Sequence, residues 1–336
     1  MKKYIIKPGQ KGINALHLEE MTARELKLNE VCVRVHAVSL NYRDLINVNM
    51  GVRQELIPLS DGAGSVEEVG EEVSSLKKGD RVVGLFFPLW QSGNIDAYRL
   101  SSARGGTPTD GMLAQYVYGP EDSFLKFPEY LSYEEASTLP CAGLTAWNAL
   151  VVQGKLKAGE TLVIMGTGGV ALFALQLAKS IGARVILISS KDEKLEKAKK
   201  MGADDLINYA KNPNWEELVM EKTSHVGADL VLELGGGGTL SKSMASVKVN
   251  GRISLVGVLT GFHGEINPLP ILTKSLIVNG IYVGSSDMQK QFHRALEVNE
   301  IHPVIDRVFK FEQVKEAYEY MKSAQHLGKI VIRVQE

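Results

Sequence analysis

Residues 161–181, TLVIMGTGGVALFALQLAKSI, decide the fold of this chain. The first five of them, Thr161–Met165, form an apolar run that predicts a buried strand. A glycine-rich turn follows, and Gly169–Ile181 then carries apolar side chains at helical spacing, which predicts an amphipathic helix. A strand that passes through glycines straight into a helix predicts the first half of a β-α-β unit with parallel strands.

The turn itself, residues 166–171 with the sequence GTGGVA, fits the pattern G-x-G-x-x-G/A. Gly166 permits a sharp turn, Gly168 lets a pyrophosphate approach the backbone, and Ala171 is small enough for the helix to pack on the strand. The free N–H groups and the dipole of the helix start favour an anion at this place. An ordinary glycine-rich connection is the alternative. The predicted dinucleotide-binding residues of the turn are Gly166, Thr167, Gly168, Gly169 and Val170.

After this unit, strands and helices continue to alternate, which is typical of a doubly wound parallel sheet. The predicted strands are Arg184–Ser189, Asp205–Asn208, Ala228–Leu234, Arg252–Val256 and Leu276–Val283. The predicted helices are Asp192–Met201, Asn214–Thr223 and Leu240–Val247.

The chain before this region is rich in short strands. Glu30–Ala37 alternates apolar and polar residues, and Gly62–Val69 and Asp80–Gly84 are also strand-like, so we predict a small all-β barrel. From about Asp287 the tail has the pattern of helix, strand, helix and strand. We expect its last strand, Lys329–Val334, to return to the first domain.

The segment from about Pro88 to Gly111 is polar and has no periodic pattern. A loop of this length inside a compact domain is usually functional or mobile. The alternative is a disordered surface insertion.

Composition limits the class of protein. With 336 residues the chain is longer than one core usually spans, so two domains are expected. A formal net charge of -1 gives no basic excess, which argues against nucleic acid and membrane surfaces as partners. Cys32 and Cys141 are too few for a disulfide framework or a four-cysteine zinc site. No segment has the pattern of a signal peptide or a membrane span, so we expect a cytoplasmic protein.

The end of the second strand indicates which dinucleotide binds. NAD-binding proteins of this kind usually carry an acidic residue there, about 20 residues after the turn, for the ribose 2′-hydroxyl. Here Ser189, Ser190 and Lys191 follow, and hydroxyls and an ammonium suit a 2′-phosphate. We therefore predict NADP as cofactor, with NAD as the alternative. Ser190 or Asp192 could also simply cap the next helix.

Motifs along nearly the whole chain resemble the medium-chain dehydrogenase/reductase superfamily. They are residues 39–44 (SLNYRD), 58–64 (PLSDGAG), 78–82 (KGDRV), 139–146 (LPCAGLTA), 202–204 (GAD) and the glycine turn. The resemblance implies α/β architecture: a GroES-like β-barrel catalytic domain, residues 1–125 completed by 287–336, and a Rossmann domain with a doubly wound parallel sheet, residues 126–286. It also implies an active-site cleft between the domains. The chain is most similar to alcohol-dehydrogenase-like members that also resemble quinone oxidoreductases.

Zinc-dependent members of this superfamily hold the catalytic metal with a Cys, a His and a second Cys. By resemblance, Asn41 and Ser60 stand at the first two of these positions and Cys141 at the third. Asp61, beside Ser60, keeps a carboxylate. One thiol and one carboxylate make a poor zinc site, so we predict that there is no catalytic zinc and that Cys141 is a packing residue.

Without a metal, protein groups must donate hydrogen bonds to the oxyanion that develops on the substrate. By resemblance to zinc-free members, Asn41 would hold the nicotinamide ribose or the substrate oxygen. Tyr42 would hydrogen-bond that oxygen or line the pocket, although it could equally be a packed aromatic. Asp61 would accept hydrogen bonds in the cleft or only support the turn after it. Arg43 and Asp44 would form a structural ion pair.

Further cofactor contacts follow from the resemblance. Thr145 matches the residue that contacts the nicotinamide in relatives, and Tyr209 matches one that flanks the adenosine phosphate. The ends of the later strands add the backbone groups of Gly257, Val258, Val283, Gly284 and Ser285. In relatives the edge strand, here Leu276–Val283, pairs across a dimer, so we expect a homodimer.

These features together predict an NADP(H)-dependent oxidoreductase that moves a hydride between nicotinamide and a small carbonyl, enone, quinone or alcohol substrate, without catalytic zinc. Two alternatives stay open at this point. A non-enzymatic sensor or structural protein would bind NADPH without turnover, and a zinc-dependent alcohol dehydrogenase with atypical ligands would contain the metal.

Overall fold

The computed structural model describes residues 1–335 and divides into two compact units. One unit comprises Met1–Leu144 and Gly284–Glu336, and the other comprises Thr145–Val283. Residues 126–144, which we expected in the second domain, belong to the first unit. Lys126 pairs with Val82 in the first unit's sheet, and the Cys141 N–H donates to Asp61 of the same unit.

Residues 1–335 form fifteen strands, and the helices among them are mostly short. The strands are β1 Lys2–Ile6, β2 Leu16–Glu20, β3 Glu30–Ser39, β4 Asp61–Val69, β5 Arg81–Gly84, β6 Tyr116–Pro120, β7 Phe124–Lys126, β8 Thr161–Met165, β9 Arg184–Ser189, β10 Asp205–Asn208, β11 Ala228–Glu233, β12 Val247–Leu255, β13 Ile277–Gly280, β14 Ile305–Lys310 and β15 Lys329–Arg333. The α-helices are α1 Tyr42–Met50, α2 Ala97–Leu100, α3 Tyr133–Ala136, α4 Leu144–Trp147, α5 Gly169–Ile181, α6 Asp192–Lys200, α7 Trp215–Lys222, α8 Leu240–Ser246, α9 Leu269–Thr273, α10 Ser286–Asn299 and α11 Val314–Lys322. Turns of 3-10 type cover Ile13–Ala15, Glu121–Ser123 and Phe311–Gln313, and π-type turns cover Leu139–Gly143 and Asn148–Val152. Within residues 1–335, none of these helices combines the length and apolar character needed to cross a membrane.

The second unit is built on a six-stranded sheet in the order β10-β9-β8-β11-β12-β13. All of its neighbouring strands are parallel, which confirms the predicted doubly wound sheet. Strand β8 and helix α5 have the predicted bounds, because their apolar residues are buried in the expected pattern. The strand order reverses between β8 and β11, and at such a reversal the carboxyl ends of the strands leave a crevice that binds ligands.

Two later strands differ from the prediction. Strand β12 begins at Val247, where we expected the end of a helix, and Asn250 within it adopts a left-handed backbone with φ of 58°. Strand β13 is shorter than predicted. Ser275 and Val283, with φ of 51° and 56°, flank it and interrupt the extended backbone that a longer strand would need.

The first unit contains a seven-stranded sheet along the path β14-β15-β3-β4-β5-β7, with β6 pairing with β3. Strand β15 pairs antiparallel with β3, where Ile332 lies opposite Val38, so the last strand returns to the first part of the chain as predicted. Completely buried apolar side chains fill the core beside this sheet, among them Val33, Val35, Val38, Leu59 and Tyr318.

The Pro88–Gly111 segment is packed against the first unit around Arg104. The buried guanidinium donates from Nε to the Leu85 carbonyl at 3.2 Å and from Nη2 to the Ser123 carbonyl at 3.4 Å. The backbone N–H of Arg104 donates to the Phe86 carbonyl at 2.8 Å. A disordered surface insertion is therefore the wrong interpretation for this part of the segment, since a buried cation that donates to backbone carbonyls fixes it in place.

Helix α1 begins after Asn41, which is extended and serves as the N-cap. The Asp44 carboxylate accepts a hydrogen bond from the Asn41 backbone N–H at 2.8 Å, and an acidic group in the first turn favours the helix start. Asp44 is only 1% exposed, and its Oδ1 lies 3.6 Å from Arg43 Nη1, which confirms the expected ion pair. Burial raises the pKa of Asp44 to about 6, although Arg43 acts in the opposite direction.

This raised pKa predicts a pH-dependent stability. The folded chain takes up a proton on Asp44 below a pH of about 6, whereas the unfolded chain does so only near 3.8, so protonation stabilises the folded state as the pH falls through about 6. Asp44→Asn removes this contribution. Between pH ~7.5 and ~5, we expect the free energy of unfolding of the wild type to rise relative to that of the variant by about 1 kcal/mol, measured by urea unfolding.

The exposed Asp96, which pairs with Arg99 on the surface, provides the matched control. Asp96→Asn should leave the pH dependence unchanged. Parallel curves for the wild type and Asp44→Asn would contradict the assignment of the effect to Asp44.

Candidate functional site

The glycine turn lies at the carboxyl end of β8, beside the reversal in strand order. Gly166 has φ of +77°, the left-handed region that favours glycine, and its N–H donates to the Ile188 carbonyl at 2.6 Å. Gly168 is the N-cap of α5, and no side chain caps this helix start. Nothing else in residues 1–335 lies within 4 Å of a Cβ built on either glycine. The turn therefore has open backbone and uncapped N–H groups, and it fits a phosphate.

The ends of β9 and β10 bring together the residues that we predicted for the adenosine end of a dinucleotide. The Tyr209 N–H donates to the Ser189 carbonyl at 3.1 Å, so the two residues lie side by side. Tyr209 is about half exposed and Lys191 is exposed, whereas Ser190 is half-buried and Ser189 is buried. Lys191 is the N-cap of α6 and forms no side-chain capping bond, so the alternative that Ser190 or Asp192 is the cap is wrong.

Asp192, the nearest acidic residue after β9, is already engaged by its neighbours. Its Oδ1 accepts from Asn208 Nδ2 at 2.6 Å, and its Oδ2 accepts from Lys211 Nζ at 2.5 Å. The hydrogen bond from Lys211, followed by that from Asn208, lowers the pKa of Asp192. The negative charge at this helix start is therefore paired with an ammonium.

Glu233, the last residue of β11, fixes the loop that follows it. This completely buried carboxylate accepts from the N–H groups of Gly235 and Gly236 at 2.6 Å and 2.9 Å and from the Thr239 hydroxyl at 2.6 Å, and it also accepts from Ser243. Sequence reasoning did not assign this role. The available signal was an acid at the end of an apolar strand, followed by glycines.

The later predicted cofactor residues fall in both units. The Gly257 N–H donates to the Glu233 carbonyl at 3.2 Å, and Val258 packs so closely that a Cβ on Gly236 would come within 2.8 Å of its Cα. The Val283 carbonyl accepts from Asn148 at 2.7 Å. These residues belong to the second unit, as does Thr145, which is buried in α4. Gly284 and Ser285 belong to the first unit, where the Ser285 hydroxyl caps α10 by accepting from the Met288 N–H at 3.2 Å.

In the first unit, Asp61 is a completely buried acceptor at the start of β4. Its Oδ1 accepts from the Ser60 hydroxyl at 2.8 Å. Its Oδ2 accepts from the Cys141 N–H at 3.3 Å and from the Ser39 hydroxyl at 3.4 Å. Burial raises the pKa of Asp61, and the nearby Lys329 cation is the largest influence in the opposite direction. Asp61 therefore does more than support the turn after it.

Lys329, the first residue of β15, places an ammonium beside these groups. Its Nζ donates to the Leu40 carbonyl at 2.7 Å and to Asn41 Oδ1 at 2.6 Å, and it lies 3.8 Å from Asp61 Oδ2. Sequence reasoning missed this residue, although a lysine at the start of the apolar run KIVI was a signal of a buried cation. Tyr42 is 48% exposed, so it is not a buried core residue.

The residues at the three zinc-ligand positions do not fit the metal. The Asn41 oxygen accepts from an ammonium, and the Ser60 hydroxyl donates to Asp61. Burial raises the pKa of the Cys141 thiol well above its usual range, which disfavours the thiolate that zinc binds. Within residues 1–335, no group of three or more His, Cys, Asp or Glu side chains could hold a metal ion.

Comparison with known proteins identifies the family. Residues 27–129 match the family model of the alcohol dehydrogenase GroES-like domain, and residues 169–299 match that of the zinc-binding dehydrogenases. A zinc-type alcohol dehydrogenase-like protein of Schizosaccharomyces pombe is 40% identical over 99% of this chain and 99% of its own. A quinone oxidoreductase of Sus scrofa is 28% identical over 91% of this chain and 89% of its own.

A solved structure gives the same result. The putative alcohol dehydrogenase from Sinorhizobium meliloti superimposes with a TM-score of 0.91 and 40% identity, covering 99% of this chain and 100% of that one. This agreement confirms the expected combination of a GroES-like domain with a Rossmann domain. The chain belongs to the medium-chain dehydrogenase/reductase superfamily and is an NAD(P)-dependent oxidoreductase.

Proposed function

We propose that this protein is a cytoplasmic NADP(H)-dependent oxidoreductase that transfers a hydride between nicotinamide and a small carbonyl, enone, quinone or alcohol substrate, without catalytic zinc. The observation that carries the zinc-free mechanism is the bond from Lys329 Nζ to Asn41 Oδ1, which engages the residue at the first ligand position. Relatives named as alcohol dehydrogenases and quinone oxidoreductases support the substrate classes. Two free cysteines, Cys32 and Cys141, agree with a reducing compartment.

The preference for NADP follows from the charges at the end of β9. Ser190 and the exposed Lys191 would offer a hydroxyl and an ammonium to a 2′-phosphate beside the buried Ser189, and Tyr209 would flank them. Asp192 would repel that phosphate if its charge were unpaired. Its pairing with Lys211 supports NADP over NAD.

The remaining cofactor contacts are proposed from the open edge of the sheet and from the family. The turn residues Gly166–Val170 would hold the pyrophosphate on backbone N–H groups. The nicotinamide side would be held by Asn41, Thr145, Gly257, Val258, Val283, Gly284 and Ser285.

The bound nicotinamide supplies the hydride chemistry, and the chain's own residues orient the substrate. The hydroxyl of the half-exposed Tyr42 would donate to the substrate oxygen, where negative charge develops. Asn41 would hold the nicotinamide ribose or the substrate oxygen, and Asp61 would act as the hydrogen-bond acceptor of the buried network beside it. The buried Cys141 thiol, with its raised pKa, takes no part as a nucleophile.

The exposed edge of the second unit's sheet supports a homodimer. Strand β13 is the edge strand, Ile277 in it is 54% exposed, and Leu269 and Leu272 nearby are also exposed. An apolar edge of this kind suits pairing with a second copy. Light scattering should then give the mass of two 36.8 kDa chains.

A direct test follows the loss of reduced-nicotinamide absorbance with a panel of aldehydes, enones, quinones and ketones. We expect kcat/KM to be at least ~10-fold higher with NADPH than with NADH, the order of one charge-assisted hydrogen bond. Elemental analysis should find less than ~0.1 zinc per chain, and a chelator should leave turnover unchanged. A preference for NADH would contradict the cofactor assignment, and stoichiometric zinc whose removal abolishes turnover would contradict the mechanism.

Gly168→Ala tests the phosphate turn. A Cβ at this position meets no protein atom within 4 Å, so the variant should fold with unchanged stability. The same Cβ would occupy the space proposed for the pyrophosphate. We expect the Kd for NADPH to rise at least ~10-fold in isothermal titration calorimetry.

Gly119→Ala in β6 is the matched control, because its Cβ would make an ordinary 3.4 Å contact with Phe124 in the first unit. It should bind NADPH like the wild type. Equal affinities for Gly168→Ala and the wild type would show that the pyrophosphate does not rest on this turn.

A further inference from the structure

We infer that Lys329 supplies the positive charge of the candidate site and acts as a positioning residue. Its ammonium sets the orientation of the Asn41 side chain and balances the negative charge of Asp61. Asn41 stands at the first zinc-ligand position of the family, and Asp61 follows the residue at the second. The inference rests on the proposed function only for its kinetic consequence. The electrostatic part, which is the interaction of Lys329 with Asn41 and Asp61, depends only on residues of the first unit.

The ammonium of Lys329 is held by short, charge-assisted bonds. Lys329 is 3% exposed, and its Nζ lies 2.7 Å from the Leu40 carbonyl and 2.6 Å from Asn41 Oδ1. An ammonium has three donors and no acceptor, and hydrogen bonds from charged donors are stronger than neutral ones. Asp61 Oδ2, at 3.8 Å, is at ion-pair distance rather than hydrogen-bond distance.

These bonds determine which way the Asn41 amide points. Because the ammonium can only donate, the amide atom beside it must be the oxygen; a flipped amide would set two donors against each other. The Nδ2 group is thereby directed to the other side. It is buried, and a side-chain hydrogen bond from Asn41 lowers the pKa of the Asp61 carboxyl. With its oxygen held by Lys329, Asn41 can offer only its Nδ2 group to Asp61, so this orientation depends on the bond from Lys329.

Charge balance gives the second argument. The two buried carboxylates here are Asp61, with no exposure, and Asp44, with almost none. Two cations stand beside them: Lys329 near Asp61 and Arg43 at 3.6 Å from Asp44. Removing the cation of a buried pair leaves an uncompensated charge. A divalent metal in addition to these two cations would leave an excess of positive charge.

A double-mutant cycle, run without cofactor or substrate, tests the electrostatic part. We expect Lys329→Met to raise the unfolding equilibrium constant of the protein at least ~100-fold, since it leaves Asp61 buried without its cation. Adding Asp61→Asn to that variant should recover at least ~10-fold of the loss, because no unpaired charge remains. If Lys329→Met yields no folded protein, recovery of a folded double variant is the same supporting result.

The matched control is Arg333→Met at the other end of β15. Arg333 also pairs with a carboxylate, Glu134 at 2.8 Å, but its side chain is half exposed. The unfolding constant should change by less than ~5-fold, as for a surface pair. The inference is overturned if Asp61→Asn destabilises the Lys329→Met protein as much as it destabilises the wild type, since the two residues would then be uncoupled.

The kinetic part separates positioning from a merely structural role. For Lys329→Met we expect kcat to fall at least ~100-fold while KM for NADPH rises by no more than ~10-fold, because Asn41 is only one of the proposed nicotinamide contacts and the phosphate turn, in the other unit, is untouched. Arg333→Met should keep both values. An unchanged kcat in Lys329→Met would overturn the positioning role. If the wild type itself shows no turnover, the proposed function fails, and the thermodynamic cycle still decides whether Lys329 is coupled to Asp61.

Discussion

Parallel pairing of β8 with β9 and β11 is the constraint on which the cofactor side of this protein depends. Parallel strands place all their carboxyl ends at one edge, and the strand order reverses beside β8. Everything predicted to touch the dinucleotide within the second unit, apart from Thr145, follows from this arrangement. Gly166 follows β8, Ser189 ends β9 and Gly257 follows β12. The strand topology provides the edge of the sheet. The open glycine turn and the pairing of Asp192 are local features at that edge.

The first unit depends on a different constraint, the need to neutralise charge that is removed from water. Asp61 and Asp44 are buried near the start of β4 and in the first turn of α1, and each has a cation beside it. Burying one such group without its partner would be strongly unfavourable. Asn41 and Ser60, at the first two zinc-ligand positions, are therefore already engaged by protein side chains, by Lys329 and Asp61 respectively. Membership of an oxidoreductase family also leaves the non-enzymatic alternative without support.

Local sequence patterns predicted many of the strands and helices. They could not predict which residues far apart in the chain would contact each other. Strand β8 and helix α5 could be bounded from the sequence because each has its own periodicity and a glycine between them. By contrast, Lys329 lies 288 residues from Asn41, and only the pairing of β15 with β3 brings the two together. Arg104 likewise gave no signal, since its partners are backbone carbonyls rather than acidic side chains. The burial of Asp61 also had no local signal, because Cys141 and Lys329 reach it from distant parts of the chain.

The carboxylate at the end of β11 has a consequence for ligand binding. Glu233 holds the N–H groups of Gly235 and Gly236 and the Thr239 hydroxyl, so the glycine-rich loop is ordered by the protein alone. A chain of glycines would otherwise lose much conformational entropy when a ligand ordered it. Because this loop is preorganised, its ordering does not have to be offset by the binding free energy of a dinucleotide.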